Sequence, residues 1–184
     1  MNIKKIFGDR VALKLVDEEY VGMLVPAPNQ YKMHVLSEVV ALGDKCKGVG
    51  AGDIVLWQNN GIIERNCRYF MDGVPIFVLF RSDLIARLAN KMVKLDNFQV
   101  LGEWCLVRRV VKQPNLIVLP EAVQESNQDL VIKFILEQKG AEVTTEVELG
   151  DELIVDRTRS NPIKINKESF YYIHQSSVLG VVGS

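Results

Sequence analysis

The chain repeats itself at long range. Phe7-Gly8-Asp9-Arg10-Val11-Ala12-Leu13-Lys14 matches Leu101-Gly102-Glu103-Trp104-Cys105-Leu106-Val107-Arg108, so residue 7 falls on residue 101, an offset of 94. The same offset carries Met23-Leu24-Val25-Pro26 onto Ile117-Val118-Leu119-Pro120, and Ser82-Asp83-Leu84-Ile85 onto Ser176-Ser177-Val178-Leu179. Between them Gly52-Asp53-Ile54-Val55 resembles Gly150-Asp151-Glu152-Leu153 at an offset of 98, a local insertion of four residues. Three blocks in one register argue for duplication, and a duplicated chain must build one small fold twice. The 184 residues therefore read as two related domains, 1–90 and 91–184, joined near Ala89 to Lys94.

Within each half the apolar pattern is that of short strands. Val11, Leu13 and Leu15 alternate with Ala12 and Lys14, the period of a half-buried strand. Val35 to Leu42, Asp53 to Trp57 and Ile76 to Phe80 are apolar and rich in β-branched or aromatic residues. Cys105 to Val111, Leu130 to Leu136, Glu152 to Val155 and Phe170 to Ile173 match them in the second half. Gly43-Asp44, Asn59-Asn60-Gly61 and Asp72-Gly73 supply turns, where positive φ or a side-chain-bonded backbone is needed. The nearest approach to a helical stripe is Asp83 to Val93, across the junction. Many short strands with regular turns predict an all-β chain of small barrels or sandwiches.

Composition removes several functions. The formal charge is −1 on 22 basic and 23 acidic residues, which argues against coating nucleic acid, a task needing a clustered basic surface. The longest apolar run, Val74 to Phe80, contains Pro75 and is far short of the roughly 20 residues of a spanning helix. Met1 to Asp9 lacks the apolar stretch of a secretory signal, so a cytoplasmic location is expected, bacterial or in a phage-infected host, or an organelle interior if a transit peptide was removed. Cys46, Cys67 and Cys105 have no C-x-x-C spacing and only His34 and His174 to help them, so they read as reduced thiols with no metal.

No catalytic constellation emerges. Gly48-Val49-Gly50-Ala51-Gly52 is followed by the strand-like Asp53-Ile54-Val55-Leu56-Trp57, where a phosphate-cradling loop would open a helix; it reads as a turn. His174 closes an aromatic strand, the place of a structural histidine, and Asp17-Glu18-Glu19 reads as a solvated face. The informative feature is the pair of apolar triplets closed by proline. Each lies in a long polar excursion, Val16 to Lys32 or Val111 to Asp129. By itself each triplet could be a short core strand, but connections that long are often functional or disordered, and an exposed apolar triplet is costly unless a partner receives it.

These residues resemble the GroES family, the small co-chaperonins that cap chaperonin rings. Asn2-Ile3-Lys4 through Gly8-Asp9-Arg10-Val11 is similar to the family's first strand, and Gly22-Met23-Leu24-Val25-Pro26 to its mobile loop. Glu38 to Gly43 resembles the returning strand, Gly52 to Leu56 a strand-opening signature and Ser82 to Ala86 the closing motif. The second half is more diverged but keeps Gly150-Asp151, Ile117 to Pro120 and Val178-Leu179. Two fused copies are similar to the tandem co-chaperonin of chloroplasts, and phage-encoded members also diverge strongly. The resemblance implies two tandem GroES-like β-barrels with long mobile loops. Only Asp44 to Ala51 and Gln138 to Leu149 lie where the family has its roof hairpin, so that hairpin is expected to be reduced or absent. Trp104 stands at the position of Arg10, and Asn115-Leu116 replaces the glycine before the second triplet.

By the same resemblance the chain is a non-catalytic cap that assists protein folding. Its partners are a GroEL-type chaperonin and further copies of itself in a ring, with Lys4 to Phe7 and Leu84 to Leu88 as pairing edges. Gly22, Met23, Leu24, Val25 and Pro26, with Ile117, Val118, Leu119 and Pro120, are the chaperonin-binding residues. No cofactor is expected, ATP belonging to the chaperonin; nor is nucleic acid or membrane. Two alternatives remain: a tandem β-barrel binding or structural module, such as a virion component, and an enzyme akin to zinc-dependent alcohol dehydrogenases. The enzyme would need a nucleotide-binding half and clustered Cys/His ligands that the sequence does not offer.

Overall fold

A computed structural model describes residues 3, 5–16, 33–59, 66–88, 95–110, 131–156, 159–165 and 168–182. Two antiparallel sheets hold its thirteen strands. In the first are β1 (Arg10–Leu15), β2 (Met33–Leu42), β3 (Ile54–Asn59), β4 (Arg68–Met71), β5 (Val74–Phe80), β6 (Leu84–Leu88) and β7 (Phe98–Val100), in the order β4-β5-β1-β2-β3-β6-β7. In the second are β8 (Trp104–Arg109), β9 (Val131–Lys139), β10 (Glu152–Asp156), β11 (Asn161–Ile165), β12 (Glu168–His174) and β13 (Val178–Val181), in the order β11-β12-β8-β9-β10-β13. The chain is all-β, as two barrel-like domains require.

The repeat seen in sequence is repeated in hydrogen bonding. Arg10 faces Phe80 across β1 and β5, and Trp104 faces His174 across β8 and β12. The β1–β2 register slips between Ala12 and Leu13, and the β8–β9 register slips between Leu106 and Val107, at the offset of 94. A second bulge sits between Leu56 and Trp57, and again between Ile154 and Val155. Bulges re-aim a strand, so shared bulges mean shared curvature.

Among the described residues three buried clusters form the core. Val11, Leu13, Val55, Trp57 and Phe77 centre the first, while Cys105, Val107, Phe134, Leu153 and Ile173 centre the second. A third joins Leu36, Leu56, Ile85 and Phe98 of the first sheet to Ile163, Ile165, Phe170 and Tyr172 of the second. The period-2 expectation for Val11 to Leu15 holds only in part. Ala12 is buried with Val11 and Leu13 because β1 lies between β5 and β2, and Leu15 emerges at the strand end.

Glycine placement follows from contact. A methyl group on Gly43 would fall on the Gly8 carbonyl oxygen, and one on Gly140 would fall on that of Gly102. The Asp72-Gly73 turn has φ of 51° and 77°, the left-handed pair of a tight hairpin between β4 and β5. The two Gly-Asp signatures are turn closures. Asp53 accepts from the Gly50 amide and Asp151 from the Glu148 amide, each at 2.7 Å. Residues 43–53 and 140–151, all described, contain no strand, so no roof hairpin stands between β2 and β3 or between β9 and β10. Of the stretch Asp83 to Val93 that came nearest a helical pattern, Asp83 ends a 3-10 turn and Leu84–Leu88 is strand β6, held between β3 and β7.

Candidate functional site

The expected docking residues Gly22, Met23, Leu24, Val25 and Pro26, and Ile117, Val118, Leu119 and Pro120, lie outside the described residues. Their anchors are described. The first segment departs after β1, where the Val16 amide donates to the Leu36 carbonyl at 3.2 Å. The second departs after β8, where the Val110 amide donates to the Lys133 carbonyl at 2.9 Å. Val16 and Val110 are one repeat apart, as are the registers Leu15↔Ser37 and Arg109↔Phe134 beside them. Both triplets are therefore carried between the same two neighbouring strands of their sheets.

The ground beneath the two anchors differs. Under the first, Ser37 and Trp57 are fully buried, and the indole N–H donates to the Ser37 hydroxyl at 2.9 Å. Trp57 packs on Phe77 with ring centres 5.1 Å apart. Under the second, the equivalent registers hold Phe134 and Val155, and Phe134 meets Tyr171 edge-on at 5.1 Å. An open groove of about 750 Å³ runs beside the second anchor, lined by Arg108, Arg109, Val110, Ile135, Glu168, Ser169 and Tyr171. Arg108 is committed to Glu137 at 2.7 Å, and that hydrogen bond pushes the guanidinium pKa up.

The cysteines are free thiols; Cys105 is buried, and burial pushes its pKa up to about 11. His174 ends β12 as expected, with Nε2 2.8 Å from Glu103 and Nδ1 2.9 Å from Ser176. Among the described residues no group of three or more His, Cys, Asp or Glu side chains could hold a metal ion. No helix among them is long and apolar enough to cross a membrane.

Leu84–Leu88, expected as a pairing edge, is paired by β7, which lies one repeat along from Lys4 to Ile6. Sequence reasoning missed the side chains that close this join. Arg81, with a side chain only 11% exposed, holds the Lys47 carbonyl at 3.1 Å and reaches Glu142 of the other half at 3.4 Å. Trp104 donates to the Ser82 carbonyl at 3.5 Å, and Gln138 to the Leu95 carbonyl at 3.1 Å. Trp104 at the repeat position of Arg10 was the one signal in the sequence that this corner is built differently.

Two barrel-like sheets, each opening a long segment between its first two paired strands, define a GroES-like fold. Residues 97–182 match the family model described as Chaperonin 10 Kd subunit. The chain is also similar to the protein named Co-chaperonin GroES of Methylacidiphilum infernorum, 25% identical over 89 residues, which cover 45% of this chain and 90% of that relative. Its namesake from Bartonella quintana is 27% identical over 93 residues, 47% of this chain and 95% of the relative. The likeness to the GroES-type co-chaperonin family is thereby borne out. The family match falls on the half whose motifs are the more diverged.

Proposed function

We propose that this chain is a tandem co-chaperonin, two GroES-like domains at 1–90 and 91–184, that caps an ATP-dependent chaperonin ring and assists protein folding. The observation that supports it best is the shared anchor. Two triplets of one type, Met23-Leu24-Val25 and Ile117-Val118-Leu119, leave from equivalent amides, Val16 and Val110, on equivalent strand pairs. The relatives' name, Co-chaperonin GroES, agrees with that reading. ATP is bound and spent by the partner, and the cap needs no cofactor of its own. Its place of action is the cytoplasm that holds the chaperonin.

A single triplet is a weak ligand. Burying one leucine side chain contributes about 1.5–3 kcal/mol, part of which offsets the ordering of the segment. In a homo-oligomeric ring each further triplet docks as an intramolecular event, which multiplies weak affinities and leaves each contact reversible. The test is co-sedimentation with a chaperonin in ATP or ADP. Leu24→Asp should abolish the complex while the free chain keeps its fold by circular dichroism. A variant that still co-sediments as wild type removes the first triplet from the docking site, and a wild type that never binds a chaperonin favours the structural-module alternative.

A further inference from the structure

Ser176, His174 and Glu103 form a short hydrogen-bonded relay at one corner of the second sheet. His174 is the last residue of β12, and Ser176 lies in the turn Gln175–Ser177 that follows it. Glu103 stands just before β8, where the Gln175 amide donates to its carbonyl at 2.9 Å and ties the two turns together. The Ser176 hydroxyl is 2.9 Å from Nδ1 of His174, and the Ser176 amide is 3.3 Å from the same nitrogen. Nε2 is 2.8 Å from Oε2 of Glu103.

The amide decides the tautomer. An N–H can only donate, so Nδ1 is the bare nitrogen and the proton sits on Nε2, which donates to the carboxylate. The Ser176 hydroxyl then donates to Nδ1. That is the order of a nucleophile, its base and the carboxylate that orients the base. Trp104 holds the imidazole edge-on, ring centres 5.4 Å apart, and is itself set edge-on against the buried Tyr172 at 5.6 Å. The His174 side chain is 37% exposed and Ser176 is exposed as well, so a reagent in solution reaches the hydroxyl.

The repeat supplies a comparison within the same chain. One repeat back, Ser176 becomes Ser82, which is also exposed, while His174 becomes Phe80 and Glu103 becomes Asp9. A phenyl ring accepts no proton. The first half keeps the serine and the acid and lacks the base.

We propose that Ser176 is an activated hydroxyl, a site of covalent modification by activated acyl donors such as aryl esters or thioesters, with His174 as its base and Glu103 as a positioning residue. Oγ adds to the acyl carbon while its proton passes to Nδ1. The bond to the phenolate or thiolate leaving group then breaks, and that group takes the proton from the imidazolium. O-acylserine and neutral His174 remain. Turnover needs donors aimed at the oxyanion, and the amide of the nucleophile itself is spent here on Nδ1, so the acyl group stays on the serine. This chemistry is separate from capping, since it uses neither triplet.

The full chain is treated with p-nitrophenyl acetate and digested for mass spectrometry. Acetyl should reach Ser176 about a hundredfold faster than Ser82, the usual contribution of a positioned base. His174→Asn keeps an acceptor for the Ser176 amide and removes the base, so its Ser176 rate should fall to that of Ser82 with circular dichroism unchanged. Glu103→Ala should slow Ser176 alone and erase the preference for the Nε2–H tautomer, read from the nitrogen NMR shifts of the imidazole, which a merely structural glutamate would not move. Equal rates at Ser176 and Ser82 in the wild type overturn the proposal whether or not any variant folds. Labelling of Ser176 that survives His174→Asn in a folded chain overturns the base, and an unchanged tautomer in Glu103→Ala overturns the relay.

Discussion

Arg10 lies over Phe80, its guanidinium carbon 5.0 Å from the ring centre, at the register pair where β1 begins and β5 ends. At the equivalent corner of the second sheet Trp104 and His174 meet edge-on, ring centres 5.4 Å apart at 84°. The same contact is rebuilt with the aromatic ring moved to the other strand. His174 adds hydrogen bonds to Glu103 and to Ser176, and its side chain accepts from the Ser176 amide, capping the turn at Gln175–Ser177. An exposed cation–π pair contributes about 0.5–1 kcal/mol, so Phe80→Ala should cost about that much. His174→Ala should cost more, because the cap and the Glu103 bond go with the ring. Urea unfolding of the two variants checks the order, and equal losses would mean that the ring contact alone holds each corner.

Gly43 and Gly140 test whether the two halves share close backbone contacts as well as register. In each, a methyl group would strike a carbonyl oxygen of the turn before the first long strand, Gly8 or Gly102, which cannot rotate aside. Gly43→Ala and Gly140→Ala should each destabilise by about 1–3 kcal/mol, the usual range for overpacking. Gly50 is the control: its added methyl would meet only the Asp53 carboxylate at an ordinary 3.8 Å. Gly50→Ala should be neutral or stabilise by about 0.4–1 kcal/mol through the unfolded chain. A Gly43→Ala protein as stable as Gly50→Ala would refute the contact.

The buried Ser37–Trp57 bond calls for a double-mutant cycle. Ser37→Ala leaves the indole N–H buried with its only described partner removed, at a cost of about 1–3 kcal/mol. Trp57→Phe removes the donor, so adding Ser37→Ala to it should cost much less than Ser37→Ala alone. Thermal unfolding of the four proteins measures the coupling. Additive losses would show that the hydroxyl contributes by packing only.

The fold was legible where chemistry is local. The eight apolar runs picked from sequence coincide with β1, β2, β3, β5, β8, β9, β10 and β12, because each buries enough β-branched or aromatic surface to announce itself. β4 and β11 were missed for opposite reasons. Arg68-Tyr69-Phe70-Met71 is largely exposed, and Asn161-Pro162-Ile163-Lys164-Ile165 is polar at its start and buries Ile163 and Ile165 only against the other half. β7 was missed because three residues carry no period, and its place on β6 is decided by the partner strand. For the two segments expected to dock, only the anchors at Val16 and Val110 are described. What sequence could not supply was burial, and burial separates Leu101 from Phe7 although the two were aligned from the start.

Arg81 carries the join between the halves. Its guanidinium is nearly buried, donates to the Lys47 carbonyl and approaches Glu142 and the Gly102 backbone, while the Glu142 side chain is 58% exposed. The ion pair itself should therefore contribute little, about 0–1 kcal/mol, since water screens the carboxylate. Most of what Arg81 does is fill and bond the space between two turns, so Glu142→Gln should leave stability almost unchanged. Arg81→Ala should lower stability by more than Glu142→Gln does and loosen β7 selectively, because the Leu101 amide donates to Ile85 beside it. Hydrogen exchange reads this directly: the Leu101 amide should exchange faster in Arg81→Ala, while the Val39 amide, bonded to the Asp53 carbonyl inside the first sheet, keeps its protection. Equal acceleration at both amides would mean that the halves unfold as one unit and that Arg81 has no special hold on their join.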